Sequence, residues 1–153
     1  WQFNQVIKYL RGLFPYIIID TAHHLTDITL AALDTCDLAV ILVTQDIPAL
    51  ARLRQFLDLA PALELDSSNI LLVVNAYTKS IGIAPEQIEQ VLKQKMAAVI
   101  PQDKAAAIPA MNRGSPFMLQ EEILSRPIAQ SIHELKDAIL QRLDQLDKSA
   151  TEE

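Results

Sequence analysis

Three stretches of this chain are apolar at consecutive positions: DLAVILVT from Asp37 to Thr44, SNILLVVNA from Ser68 to Ala76, and MAAVIP from Met96 to Pro101. A fourth, shorter run of the same kind spans Tyr16 to Ile19 and ends at Asp20. A strand with one face in the core alternates apolar and polar residues. A strand that is apolar throughout must be covered on both faces, and Val and Ile suit that setting.

Between these runs the period changes to that of a helix. Phe3, Val6, Ile7, Leu10 and Leu13 recur at helical spacing, and Gly12 and Pro15 mark the exit. Thr26 or Asp27 caps a second helix ending near Thr35. Pro48 suits the first turn of a third, which carries Leu50, Leu53, Phe56 and Leu57 and stops at Pro61. Pro85 and Glu86 open a fourth, to about Lys95. A short helix from Asp103 to Asn112 contains Pro109, which predicts a break there. The last runs from Arg126 to Asp147 with a stripe of Ile128, Ile132, Leu135, Ile139, Leu143 and Leu146. Residues 148–153 read as a disordered tail.

Strands apolar on both sides, alternating with helices, define an α/β fold: a parallel sheet with helices on both faces. The 153 residues suit one domain, and a hydrophobic share of 50% supports a large core. Sheets of this kind bind ligands beyond the carboxyl ends of their strands. Asp20, Thr44, Asn75 and Pro101 stand at those ends and form a candidate site.

Charge and composition exclude several classes. A formal net charge of −6 is a poor match to nucleic-acid phosphates. Arg52, Arg54, Lys93, Lys95 and Lys104 form no basic run and read as solvated helix faces. No stretch reaches the roughly 18 uninterrupted apolar residues that span a bilayer. From Glu134 onward Lys136, Arg142 and Lys148 face six acidic residues, so the last helix is a core-packing helix and not an anionic-membrane anchor. Cys36 is the single cysteine and reads as an inert thiol, compatible with a reducing cytoplasm. No basic region precedes an apolar core at the start, as a signal peptide would require. The chain opens on Trp1, which suggests a fragment.

Asp20 admits three readings. It could join His23 and His24 at a metal, but adjacent histidines lack the spacing of converging ligands. It could accept a phosphoryl group as in a receiver domain, with Thr44 and Lys79 as helpers, but no early acidic pair is present to hold magnesium. Of these, the shape of the segment, a lone Asp after an apolar strand, best fits a Walker B carboxylate that holds a water on Mg²⁺; since any buried strand can end in Asp, an ordinary loop or helix-cap aspartate has the same shape.

The stretch FPYIIIDTAHHLTDITLAALDTCDLAVILVTQDIPAL resembles the corresponding part of the MinD/ParA superfamily of deviant P-loop ATPases, and more narrowly the CpaE/TadZ branch associated with type IV (Flp/Tad) pilus assembly. The likeness continues through NILLVVNAYTKSIGIAPEQIEQVL and AAVIPQDKAAAIPAMNRGSPF, so three motifs agree in order over residues 3–146. The resemblance implies a three-layer α/β/α, P-loop NTPase-like domain over residues 1–147. It implies that Asp20 is the Walker B residue, holding Mg²⁺ through water, with Thr21 beside it. Residues 21–26, including His23, His24 and Thr26, become a switch and interface segment, together with Thr44. Asn75, Pro101, Gln102 and Asp103 flank the base of ATP. A homodimer and pilus-assembly or secretion partners follow from the same likeness.

The sequence departs from the pattern in one decisive respect. It contains no Walker A loop and only three glycines, Gly12, Gly82 and Gly114. Without that loop there is no amide nest and no lysine for phosphates. The expectation is the C-terminal half of such an ATPase, whose P-loop strand would lie between the strands ending at Asp20 and Thr44. Alone, this half is expected not to hydrolyse ATP. A non-catalytic scaffold on the same fold is the alternative.

Overall fold

The computed structural model describes residues 2–22, 24–63 and 65–151, with side chains through Lys148. In chain order the helices are α1 (Gln2–Arg11), α2 (Asp27–Thr35), α3 (Ile47–Leu59), α4 (Pro85–Leu92), α5 (Lys104–Arg113), α6 (Glu121–Leu124) and α7 (Pro127–Thr151). The strands are β1 (Ala39–Val43), β2 (Ile70–Tyr77) and β3 (Met96–Pro101). They form one sheet in the order β1-β2-β3, and both pairings are parallel.

The central strand explains its own sequence. β2 has a partner on each edge and a cover on each face, and Leu72, Val73 and Val74 are 0% exposed. On one face Leu72 and Val74 join Ala39, Val43 and Ile70 against Leu53 of α3 and Ile88 and Leu92 of α4. On the other face α7 lies against β3. Ile128 and Ala129 of α7 close a second cluster with Ala106 and Ile123, into which Ile100 of β3 packs. The result is the expected three-layer α/β/α arrangement with a parallel sheet.

Local signals set the boundaries. Thr26 caps α2 by accepting a hydrogen bond from the Thr29 N–H at 3.1 Å, and Asp46 caps α3 through the Ala49 N–H at 2.8 Å. Lys93 ends α4 in a left-handed conformation at φ 56°, short of the expected Lys95. α5 runs through Pro109 without the expected break. Ala105 and Pro109 are both exposed, so water can take the carbonyl that loses its helical donor. The predicted stripe of α7 is half-buried or buried throughout. That helix continues to Thr151, and Glu152 and Glu153 lie outside the described residues.

One predicted strand is corrected. Tyr16 to Ile19 is irregular and joins no ladder, and Ile18 is 94% exposed. The cause is visible across the sheet. Leu42 of β1 stands in register with Val73 of β2, yet Leu42 is 57% exposed where Val73 is 0%. α7 packs on β3, and among the described residues the outer edge of β1 has no ladder partner. Tyr16 to Ile19 likewise finds no strand among them on which to extend.

Replacing Leu72 with Ala is expected to lower stability by about 2–5 kcal/mol, the cost of a core cavity. Ile18→Ala is expected to change it by less than about 0.5 kcal/mol. Urea unfolding of the two variants measures both, and a cost near that of Leu72→Ala at position 18 would show that the segment is packed.

Candidate functional site

All three strands run the same way, so their carboxyl ends share one edge of the sheet. Thr44 follows β1, Asn75 lies near the end of β2, and Pro101 closes β3 with Gln102 and Asp103 next. Backbone bonds tie these ends together. The Gln102 N–H donates to the Tyr77 carbonyl at 2.8 Å, and Tyr77 pairs with Pro101 in the ladder.

The β2 end is distorted where the site requires a polar side chain. The β2–β3 register shifts between Val74 and Tyr77, which places an extra residue in β2. Ala76 takes φ 53°, unusual for a residue with a Cβ, and its N–H donates to Asn75 Oδ1 at 2.9 Å. Such a bulge ends regular pairing and re-aims a side chain, a device common beside binding sites. With Oδ1 engaged by Ala76, the amide nitrogen is the group Asn75 has to offer a ligand.

Thr44 is exposed and donates its hydroxyl to Asp46 Oδ2. That bond, followed by the Ala49 N–H, holds the Asp46 carboxyl below its ordinary range. Thr44 thus serves the cap of α3. Asp103 is also structurally committed. It accepts the Ala106 N–H at 3.0 Å as the cap of α5, and takes Arg126 in a two-pronged ion pair at 2.8 and 2.9 Å. Its side chain is 13% exposed. Pro101 and Gln102 carry the edge between them.

The remaining predicted residues lie away from these bonds. Asp20 and Thr21 are exposed on the unpaired segment after Ile19. Thr26 is the cap of α2, and His24 gives its carbonyl to the Thr29 hydroxyl at 3.2 Å. His23 lies outside the described residues. Lys79 stands exposed on a short turn after β2. No group of three or more His, Cys, Asp or Glu among the described residues could hold a metal ion. Burial raises the Cys36 thiol above its ordinary range, which disfavours the reactive thiolate.

Two residues escaped the sequence reading. Arg126 was visible only as a helix start, and nothing local points to its partner 23 positions away. Gln45 is 4% exposed and bonds with both ends of its amide. Its signal was a lone amide set between an apolar strand and a proline-led helix.

The three-stranded parallel sheet between helical layers matches the P-loop NTPase-like fold of MinD and ParA structures. Among solved structures, the MinD cell division protein of Aquifex aeolicus matches with a TM-score of 0.78 at 19% identity, over 91% of this chain and 59% of that one. A ParA family ATPase from Chlorobium tepidum TLS matches at 0.75 and 22% identity, over 88% and 54%. A chain of the Aquifex aeolicus MinC:MinD cell division protein complex matches at 0.78 and 20%, over 90% and 57%. The chain therefore spans a little over half the length of these structures. No family sequence model and no curated protein sequence matches it. No helix among the described residues is long and apolar enough to cross a membrane.

Two measurements check the site. Asp103→Ala removes a cap and an ion pair together and is expected to cost about 1–3 kcal/mol, while Arg126→Ala leaves the cap and costs less; thermal unfolding that ranks them the other way contradicts this. Because the Asp46 pKa is depressed, its contribution to stability is present above the ordinary carboxylate range and fades as pH falls through the lowered value. Thr44→Val should move the Asp46 pKa upward in an NMR titration, and an unchanged value would remove the hydroxyl as the cause.

Proposed function

We propose that this chain forms the C-terminal part of a MinD/ParA-type ATPase of the CpaE/TadZ branch, one that positions or regulates type IV (Flp) pilus assembly. The observation that carries the reading is the carboxyl edge. Three motifs of the resemblance fall in order on a fold shared with MinD and ParA structures, and Thr44, Asn75 and Pro101 stand at the carboxyl ends of the three parallel strands.

The residues fit one half of an ATP site. Asn75 offers an amide N–H at a bulged strand end, and exposed Gln102 follows the end of the adjacent strand β3, as recognition of a purine edge requires. The phosphate half finds no match among the described residues. Gly82 and Gly114 both take positive φ, closing a turn and a helix, and form no glycine-rich loop with a lysine. Asp20, the proposed Walker B carboxylate for a magnesium-bound water, sits on the unpaired segment. No hydrolytic step is assigned to this chain. Its proposed partners are a P-loop segment, a second copy of the assembled domain, and pilus-assembly or secretion proteins.

The absent Walker A loop also supports a non-catalytic scaffold on the same fold. The reading frame upstream of Trp1 separates the two, since a Walker A lysine encoded there favours the ATPase. Calorimetric titration of the chain with Mg-ATP is expected to show no binding in the micromolar range. Micromolar affinity would overturn the view that the phosphate half lies elsewhere.

A further inference from the structure

Gln45 is among the few buried polar residues of the described chain, and its amide spans a gap between two loops. Its Oε1 accepts the Thr78 N–H at 2.7 Å, and its Nε2 donates to the Ile83 carbonyl at 2.7 Å. These are the two ends of the loop that leaves β2. Within the loop Gly82 takes φ 75°, and the Ile81 and Gly82 N–H groups turn back onto Thr78 and Lys79. Lys79, Ser80 and Ile81 are thereby held outward and exposed.

The clamp sits where the strand ends meet. Gln45 is two residues beyond β1, Thr78 is one beyond β2, and the neighbouring Tyr77 carbonyl receives Gln102 from the end of β3. The Gln45 side chain thus links the exits of β1 and β2, and a backbone bond next to it joins the exit of β3. Asn75 and Ala76 form the bulge immediately before this anchor, so the position of Thr78 determines where the bulge points. A buried amide satisfied at both ends is costly to disrupt and defines one geometry.

We propose that Gln45 is a positioning residue, holding the 78–83 loop and the Asn75–Ala76 bulge in the arrangement that presents the base-side face of the nucleotide site. The inference rests on the nucleotide reading for its ligand, but the clamp itself is independent of it.

Amide hydrogen exchange on the unmodified chain is the first test. The Thr78 N–H should exchange at least about tenfold more slowly than those of Lys79 and Ser80, as one buried hydrogen bond implies. Gln45→Met keeps the side-chain length without either bond. It should speed exchange at Thr78, Ile81 and Gly82 by about tenfold or more while the β2 core amides of Leu72 and Val74 stay unchanged. Equal exchange at Thr78 and Lys79 in the unmodified chain would overturn the proposal, as would uniform acceleration across core and loop in the variant.

Millimolar adenosine, which needs only the base half of the site, separates the two claims. It should shift the Asn75, Tyr77 and Gln102 amide resonances of the unmodified chain, and do so several-fold more weakly in Gln45→Met. If adenosine shifts nothing, the nucleotide reading fails and the exchange pattern alone decides the clamp. If it binds both forms equally, the positioning role is overturned while the nucleotide reading stands.

Discussion

A parallel strand in a water-soluble domain has four demands: a backbone partner on each edge and an apolar cover on each face. β2 is the strand on which the described chain meets all four, and the rest of the molecule is arranged around that fact. Its Leu72, Val73 and Val74 are inaccessible to water: β1 and β3 flank them, and α3 and α4 pack against Leu72 and Val74. Because the sheet is parallel, satisfying β2 also brings the ends of its neighbours to one edge. The edge that carries the candidate site is a geometric by-product of burying the central strand.

The same demands are unmet one strand away. Among the described residues β1 is paired on one side, and its Leu42 is left open. The Tyr16–Ile19 segment is as apolar as a buried strand and has no ladder at all. A backbone that lacks a partner has no reason to extend, whatever its propensity. Under the proposed function, a P-loop strand would stand between these two segments, with Asp20 and Thr44 at one edge.

Much of this was legible in the sequence, for identifiable reasons. Continuous apolar runs located β1, β2 and β3, although only the centre of β2 is closed on both faces and Val40 and Leu42 of β1 stay exposed. Thr26, Pro48 and Pro85 marked helix starts because caps and first-turn prolines act over a few residues. The strand expected at Tyr16 failed because strand formation depends on a partner that local sequence cannot display. The candidate site was legible as positions and not as roles. Thr44 and Asp103 stand at the expected edge but serve as supports, one bonding the cap of α3 and the other capping α5 and pairing with Arg126. Gln45 was missed because its two bonds reach residues 33 and 38 positions away.

If a P-loop strand stands between the outer edge of β1 and the Tyr16–Ile19 segment, as the proposed function requires, both should gain a partner when that strand is supplied. Amide exchange along β1 and along residues 16–19 tests this, measured in this chain and in a fusion that adds a MinD/ParA-type P-loop segment before it. The outward-facing β1 amides and those of residues 16–19 should exchange freely in this chain and become protected together in the fusion. Protection of both in this chain alone, or free exchange of both in the fusion, would contradict it.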